Sequence, residues 1–88
     1  MDKKAEKIEA LYKLLLSLDN MKDCYALFDD LCTKKEIEKM AERLYAAKLL
    51  LEGKTYNQVM EVADISSATL SRVSQCVQYG NGYAKLLK

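Results

Sequence analysis

Ser66, Ser67, Thr69, Ser71, Arg72 and Gln75 crowd one stretch near the end of an 88-residue chain. Their chemistry suits the surface of a duplex. Short hydroxyls let a helix come close to phosphates, and Arg and Gln form bidentate hydrogen bonds to guanine and adenine edges. The flanking residues predict the element that would present them. Thr55-Tyr56-Asn57-Gln58 is a capping box that opens a short helix. Asp64-Ile65-Ser66 interrupts it, and Ser66 or Ser67 can cap a second helix running from Ala68 to about Tyr79. A turn this tight makes the two helices cross steeply, which is a helix-turn-helix over about residues 55–79. Ile65 is placed to plug the corner, with Leu70, Val73 and Val77 inward. Two residues depart from the pattern. Asp64 stands where the turn usually has glycine, and Met60 stands where close helix contact favours alanine. The plain alternative for the polar face is ordinary solvation.

Other chemistries find little support. The sequence has no histidine, and so lacks the commonest general base and metal ligand. It has no Gly-rich phosphate loop. Asp19, Asp23, Asp29 and Asp30 read as caps and surface charges. Cys24, Cys32 and Cys76 are odd in number, show no CxxC spacing and have no accompanying ligands at zinc spacing. The expectation is no catalysis, no metal and no required cofactor. The polar start, MDKKAEKIEA, does not resemble a signal peptide. Leu14–Leu16 and Leu49–Leu51 are apolar runs of three, far short of the ~18 residues of a membrane span. A cytoplasmic protein with reduced thiols and no membrane partner is expected.

The elements that must hold the polar stretch are all helical, and the length fits a single domain, 1–88. Ile8, Leu11, Leu15 and Leu18 keep a helical period after Asp2, a plausible N-cap. Met21, Cys24, Leu27, Phe28 and Leu31 follow on a second helix capped by Asp19 or Asn20. Thr33-Lys34-Lys35-Glu36 is another capping box, opening a long helix with Ile37, Met40, Leu44, Ala47 and Leu51 on one stripe. Gly53 is expected to end it in the left-handed conformation. Tyr83–Lys88 reads as a terminal helical turn that could dock on a partner. The net charge is +1, but residues 65–88 hold Arg72, Lys85 and Lys88 with no acid, so an anionic partner should meet this end.

Thr33–Gln75 resembles the Trp repressor superfamily, and the whole chain is similar to its small Trp repressor-like branch of YerC/YecD type. The likeness is carried by Thr33-Lys34-Lys35-Glu36, Glu42-Arg43, Leu49-Leu50-Leu51-Glu52-Gly53 and Ser67-Ala68-Thr69-Leu70-Ser71-Arg72. It implies an all-α, intertwined homodimer with a helix-turn-helix, and a bacterial transcriptional regulator, usually a repressor. It also implies an effector site. Arg43 and Arg72 match the two arginines that sandwich the indole of L-tryptophan, and Thr33 matches a threonine that helps hold it. The family places glycine directly after the second arginine. Here Val73 adds an isopropyl group where the ring would lie, which argues against L-tryptophan as a co-repressor.

Apolar stripes on the first and third helices exceed what one short helix-turn-helix can cover, which independently favours a homodimer. Such a dimer would present its two reading helices about one DNA turn, roughly 34 Å, apart to a pseudo-palindromic operator in double-stranded DNA. The competing reading is a helical protein–protein adaptor or antitoxin-like module without DNA binding, its apolar stripes forming the binding face.

Overall fold

A computed structural model describes residues 2–87, so Lys88, one of the three C-terminal cations, lies outside the described residues. Six helices follow one another, with no strand among the described residues: α1 Lys3–Leu16, α2 Met21–Leu31, α3 Lys34–Leu51, α4 Tyr56–Val62, α5 Ser67–Tyr79 and α6 Gly82–Leu86. The chain divides into two compact units at Thr33/Lys34.

In the first unit, α1 and α2 begin where their caps dictate. The Asp2 carboxylate accepts from the Ala5 N–H at 2.7 Å, and the Asn20 side chain accepts from the Asp23 N–H at 2.8 Å. Both satisfy backbone donors that the first helical turn leaves unpartnered. Neither helix has a buried residue. Leu15, Leu18, Cys24, Leu27 and Phe28 are half-buried, and Leu14 and Leu16 face solvent.

The second unit holds the core. Ala46 and Ala47 of α3, Val59 of α4, Ala63 after it, and Leu70 and Val73 of α5 are buried together. Leu49, Leu50, Ile65, Val77, Tyr83 and Leu87 pack around them. The buried line of α3 therefore runs through Ala47, which the expected stripe includes, and Ala46, which it does not, while Leu44 of that stripe is exposed. The two methyls let α5 approach α3 closely, which a leucine there would prevent. On α4, Val59 and Ala63 face inward and Met60 faces outward, so the expected packing of Met60 is corrected: Ala63 supplies the small contact. The terminal turn also differs from expectation. Tyr83 and Leu87 pack on this chain's own core, and α6 lies against α3 and α5.

The loop after α3 explains how α4 is aimed. The Gly53 N–H donates to Leu50 O and the Lys54 N–H to Leu49 O, each at 3.1 Å, the paired bonds of a Schellman cap. Gly53 has φ of +93°, the one positive φ among the described residues. A Cβ built there meets nothing within 4 Å, so the glycine is required by backbone conformation alone. Gly53→Ala is expected to cost roughly 1–2 kcal/mol, read as a lower urea midpoint with unchanged slope.

Candidate nucleic-acid interface

The second capping box forms as its sequence demands. The Gln58 N–H donates to Thr55 Oγ1 at 3.2 Å, and the Thr55 N–H donates to Gln58 Oε1 at 2.8 Å. α4 then runs for two turns and stops at Ala63, whose backbone is extended. The Ile65 N–H closes back on Ala63 O at 3.0 Å, making a tight loop around Asp64. No non-glycine residue among those described has a positive φ, so the chain turns here without the left-handed step that a glycine would provide. Ile65 packs on the core at the corner, as its position predicts.

Ser66 starts α5. Its hydroxyl accepts from the Thr69 N–H at 3.2 Å and donates to Thr69 Oγ1 at 2.9 Å. At the other end of the corner, the Tyr56 hydroxyl donates to Ser67 O at 2.6 Å, tying the first turn of α4 to the first turn of α5. Because α5 buries Leu70 and Val73, residues roughly half a turn away must face out at 100° per residue. Ser67, Ser71, Arg72 and Gln75 are exposed on that side, together with Ala68, Gln78 and Tyr79. Of the six residues singled out from sequence, these first four share the open face. Ser66 is also exposed but its hydroxyl is held in the cap, and Thr69 is half-buried beside it. Tyr79 lies 84% exposed at the end of the same face, where it borders a shallow depression of about 390 Å³ with Arg72, Gln75, Cys76 and Gly80. It was not singled out because a terminal tyrosine carries no periodic signal.

The electrostatics are simple. Among the described residues from Ile65 onward, Arg72 and Lys85 are the charged side chains, and no acid opposes them. The first turn of α5 also contains no acid; the carboxylate nearest to it in sequence is Asp64, two residues before the Ser66 cap.

The residues of the implied effector site lie on separate elements of the chain. Arg43 is half-buried on α3, Arg72 is exposed on α5, and Thr33 belongs to the first unit. Arg43 makes no ion pair with Glu38 or Glu42 among the described residues. Val73 is 1% exposed, so its isopropyl group is part of the core. Cys24, Cys32 and Cys76 are free thiols, and no group of three or more metal-ligating side chains forms among the described residues. No helix among the described residues is long and apolar enough to cross a membrane.

A compact helical core with a short helix, a tight turn and an exposed polar helix defines the class: a small helix-turn-helix protein. Residues 6–88 match the family model for Trp repressor protein. The chain belongs to the Trp repressor family, a regulatory DNA-binding family. Protein YerC of Bacillus subtilis (strain 168) is 42% identical over 78 residues, which is 89% of this chain and 75% of that protein. A candidate Trp repressor from Staphylococcus aureus superposes with a TM-score of 0.87 at 38% identity, covering 93% of this chain and 83% of the other. A TrpR like protein from Eubacterium eligens ATCC 27750 gives 0.86 at 38% identity, with 92% and 84% covered.

Proposed function

We propose that the chain is a sequence-specific transcriptional repressor that acts in the cytoplasm as a homodimer, with one α5 entering each half-site of a pseudo-palindromic operator. The observation that carries this reading is the open face of α5. Ser67, Ser71, Arg72 and Gln75 point away from a core that Leu70 and Val73 close behind them. Ser66 and Thr69 set where that face begins. Support for the dimer comes from apolar surface left uncovered in one copy. Leu16 is 87% and Leu86 78% exposed, and Leu44, Tyr83, Leu86 and Leu87 border an open apolar groove of about 500 Å³. One copy alone leaves this surface in water at about 25 cal/mol per Å². A second copy would cover it.

Selection of bound sites from random duplexes tests the reading. The expected product is a pair of half-sites about 10 base pairs apart, with affinity that falls steeply as salt rises from roughly 50 to 200 mM. Equal affinity for the selected and a scrambled duplex across that range would remove the reading. The reading does not call on L-tryptophan: Val73 stands where the family has glycine, and its side chain belongs to the core. Selection repeated with the amino acid present is therefore expected to return the same sites at the same affinity.

A further inference from the structure

We propose that Glu42 is a positioning residue for DNA reading: from α3, its carboxylate holds the turn of the helix-turn-helix and so sets the direction in which α5 leaves α4. The inference rests on the DNA-binding reading above and names the device that aims the reading helix.

The backbone of the turn does little to fix its own geometry, and the corner is held from its own side by the Tyr56–Ser67 bond and by Ile65 on the core. Ala63 leaves α4 in an extended conformation, with φ −99° and ψ 137°. The single loop closed by Ile65 N–H and Ala63 O is a soft constraint, since a three-residue turn tolerates a range of exit angles. The surface beneath α5 is also permissive. α3 presents the methyls of Ala46 and Ala47 at the buried contact, and flat methyls resist tilting less than interdigitated large side chains do.

Glu42 supplies the hydrogen bond that anchors the turn to α3. Its Oε2 accepts a hydrogen bond from the Asp64 N–H at 2.8 Å, across 22 residues of sequence. Asp64 is the residue around which the loop closes, so this bond fixes the pivot to the long helix. An ionised acceptor makes the bond stronger than a neutral one would. Glu42 is half-buried, which reduces screening by salt. The neighbouring Asp64 carboxylate would oppose a second negative charge, but Lys35 and Lys39 line the same shallow groove as Glu38, Glu42 and Asp64. Glu42 therefore requires no contact with DNA to affect how DNA is read.

The test compares wild type, Glu42→Ala, Glu42→Gln and Glu42→Asp in the full chain, against the selected operator and a scrambled duplex, with a thermal melt of each. Glu42→Ala is expected to lose about tenfold in operator affinity with scrambled-duplex affinity unchanged, so that the specificity ratio falls. Glu42→Gln keeps an acceptor at the same reach and is expected to restore most of that ratio. Glu42→Asp keeps the charge but is one methylene short, and carries the same test if the alanine variant does not fold; its ratio is expected to fall. An unchanged ratio in the folded Ala or Asp variant overturns the inference alone, as does a loss shared equally by both duplexes. A wild-type protein with no preference for any duplex overturns the DNA-binding reading and this inference with it.

Discussion

Arg72→Ala is expected to lose operator binding by a factor of roughly thirty or more while melting at nearly the wild-type temperature. The two halves of this result have separate origins. Arg72 is exposed on α5, outside the core formed by Leu70, Val73 and their neighbours. Truncating a surface side chain away from caps and packing usually changes stability by no more than about 0.5 kcal/mol. On the DNA side, a bidentate arginine–guanine contact contributes roughly 1–3 kcal/mol, and a homodimer loses two of them at once, roughly 2–6 kcal/mol. Arg72 is the one charged side chain on the open face of α5, so no neighbour there can replace it. Arg72→Lys separates two roles for the guanidinium. Lysine replaces a phosphate contact well, but it lacks the planar fork that matches a guanine edge. Near-complete rescue by lysine, with a preserved salt slope, means a backbone contact; loss comparable to alanine means base reading. Titration of a labelled operator at two salt concentrations measures both. Binding within twofold of wild type for Arg72→Ala would remove this residue from the interface.

The helices were legible because their ends are written in local chemistry. Asp2, Asn20, Thr55 and Ser66 each accept a hydrogen bond from a backbone N–H three residues on, as short polar side chains at a helix start are built to do. Gly53 was legible for the same reason, since a left-handed residue after a long helix has few substitutes. The inward side of α5 was legible in Leu70, Val73 and Val77, but the inward sides of α3 and α4 were harder to read. Leu44 and Ala47 both fit the apolar period of α3, yet Ala47 is buried with Ala46 while Leu44 is exposed, because close approach of α5 selects for small volume over hydrophobicity. The same preference turned Met60 outward and Ala63 inward. The polar face of α5 was readable as a set, but the division within it was not. Ser66 and Thr69 hold each other at the cap, and only coordinates separate a hydroxyl that is bonded from one that is open. Glu42 was invisible as a partner of the turn. A bond joining positions 22 apart leaves no local pattern in the chain.

Leu70→Ala is expected to destabilise the fold more than any single change on the reading face. Leu70 is the largest fully buried side chain, and Val59 and Val73 are the others of substantial size. The remaining buried positions, Ala46, Ala47 and Ala63, are alanines that have no longer side chain to move into a void. The cavity left by Leu70 would therefore stay mostly open, which places the substitution in the upper part of the usual 2–5 kcal/mol for Leu→Ala, about 3–5 kcal/mol. A chain of 88 residues has a total stability on the order of 4–13 kcal/mol. The loss is thus a large fraction of the whole, equivalent to a fall of roughly 12 °C or more in the thermal midpoint. Far-UV circular dichroism melts at several matched protein concentrations measure it, since association would make the midpoint depend on concentration. A fall of less than about 5 °C would show that the core relaxes around the gap, and that α5 is held on α3 chiefly by contacts other than Leu70. The expected pairing of results is diagnostic. Leu70→Ala melts early yet binds the operator at low temperature, whereas Arg72→Ala melts normally and binds it weakly, because the two side chains lie on opposite sides of the same helix.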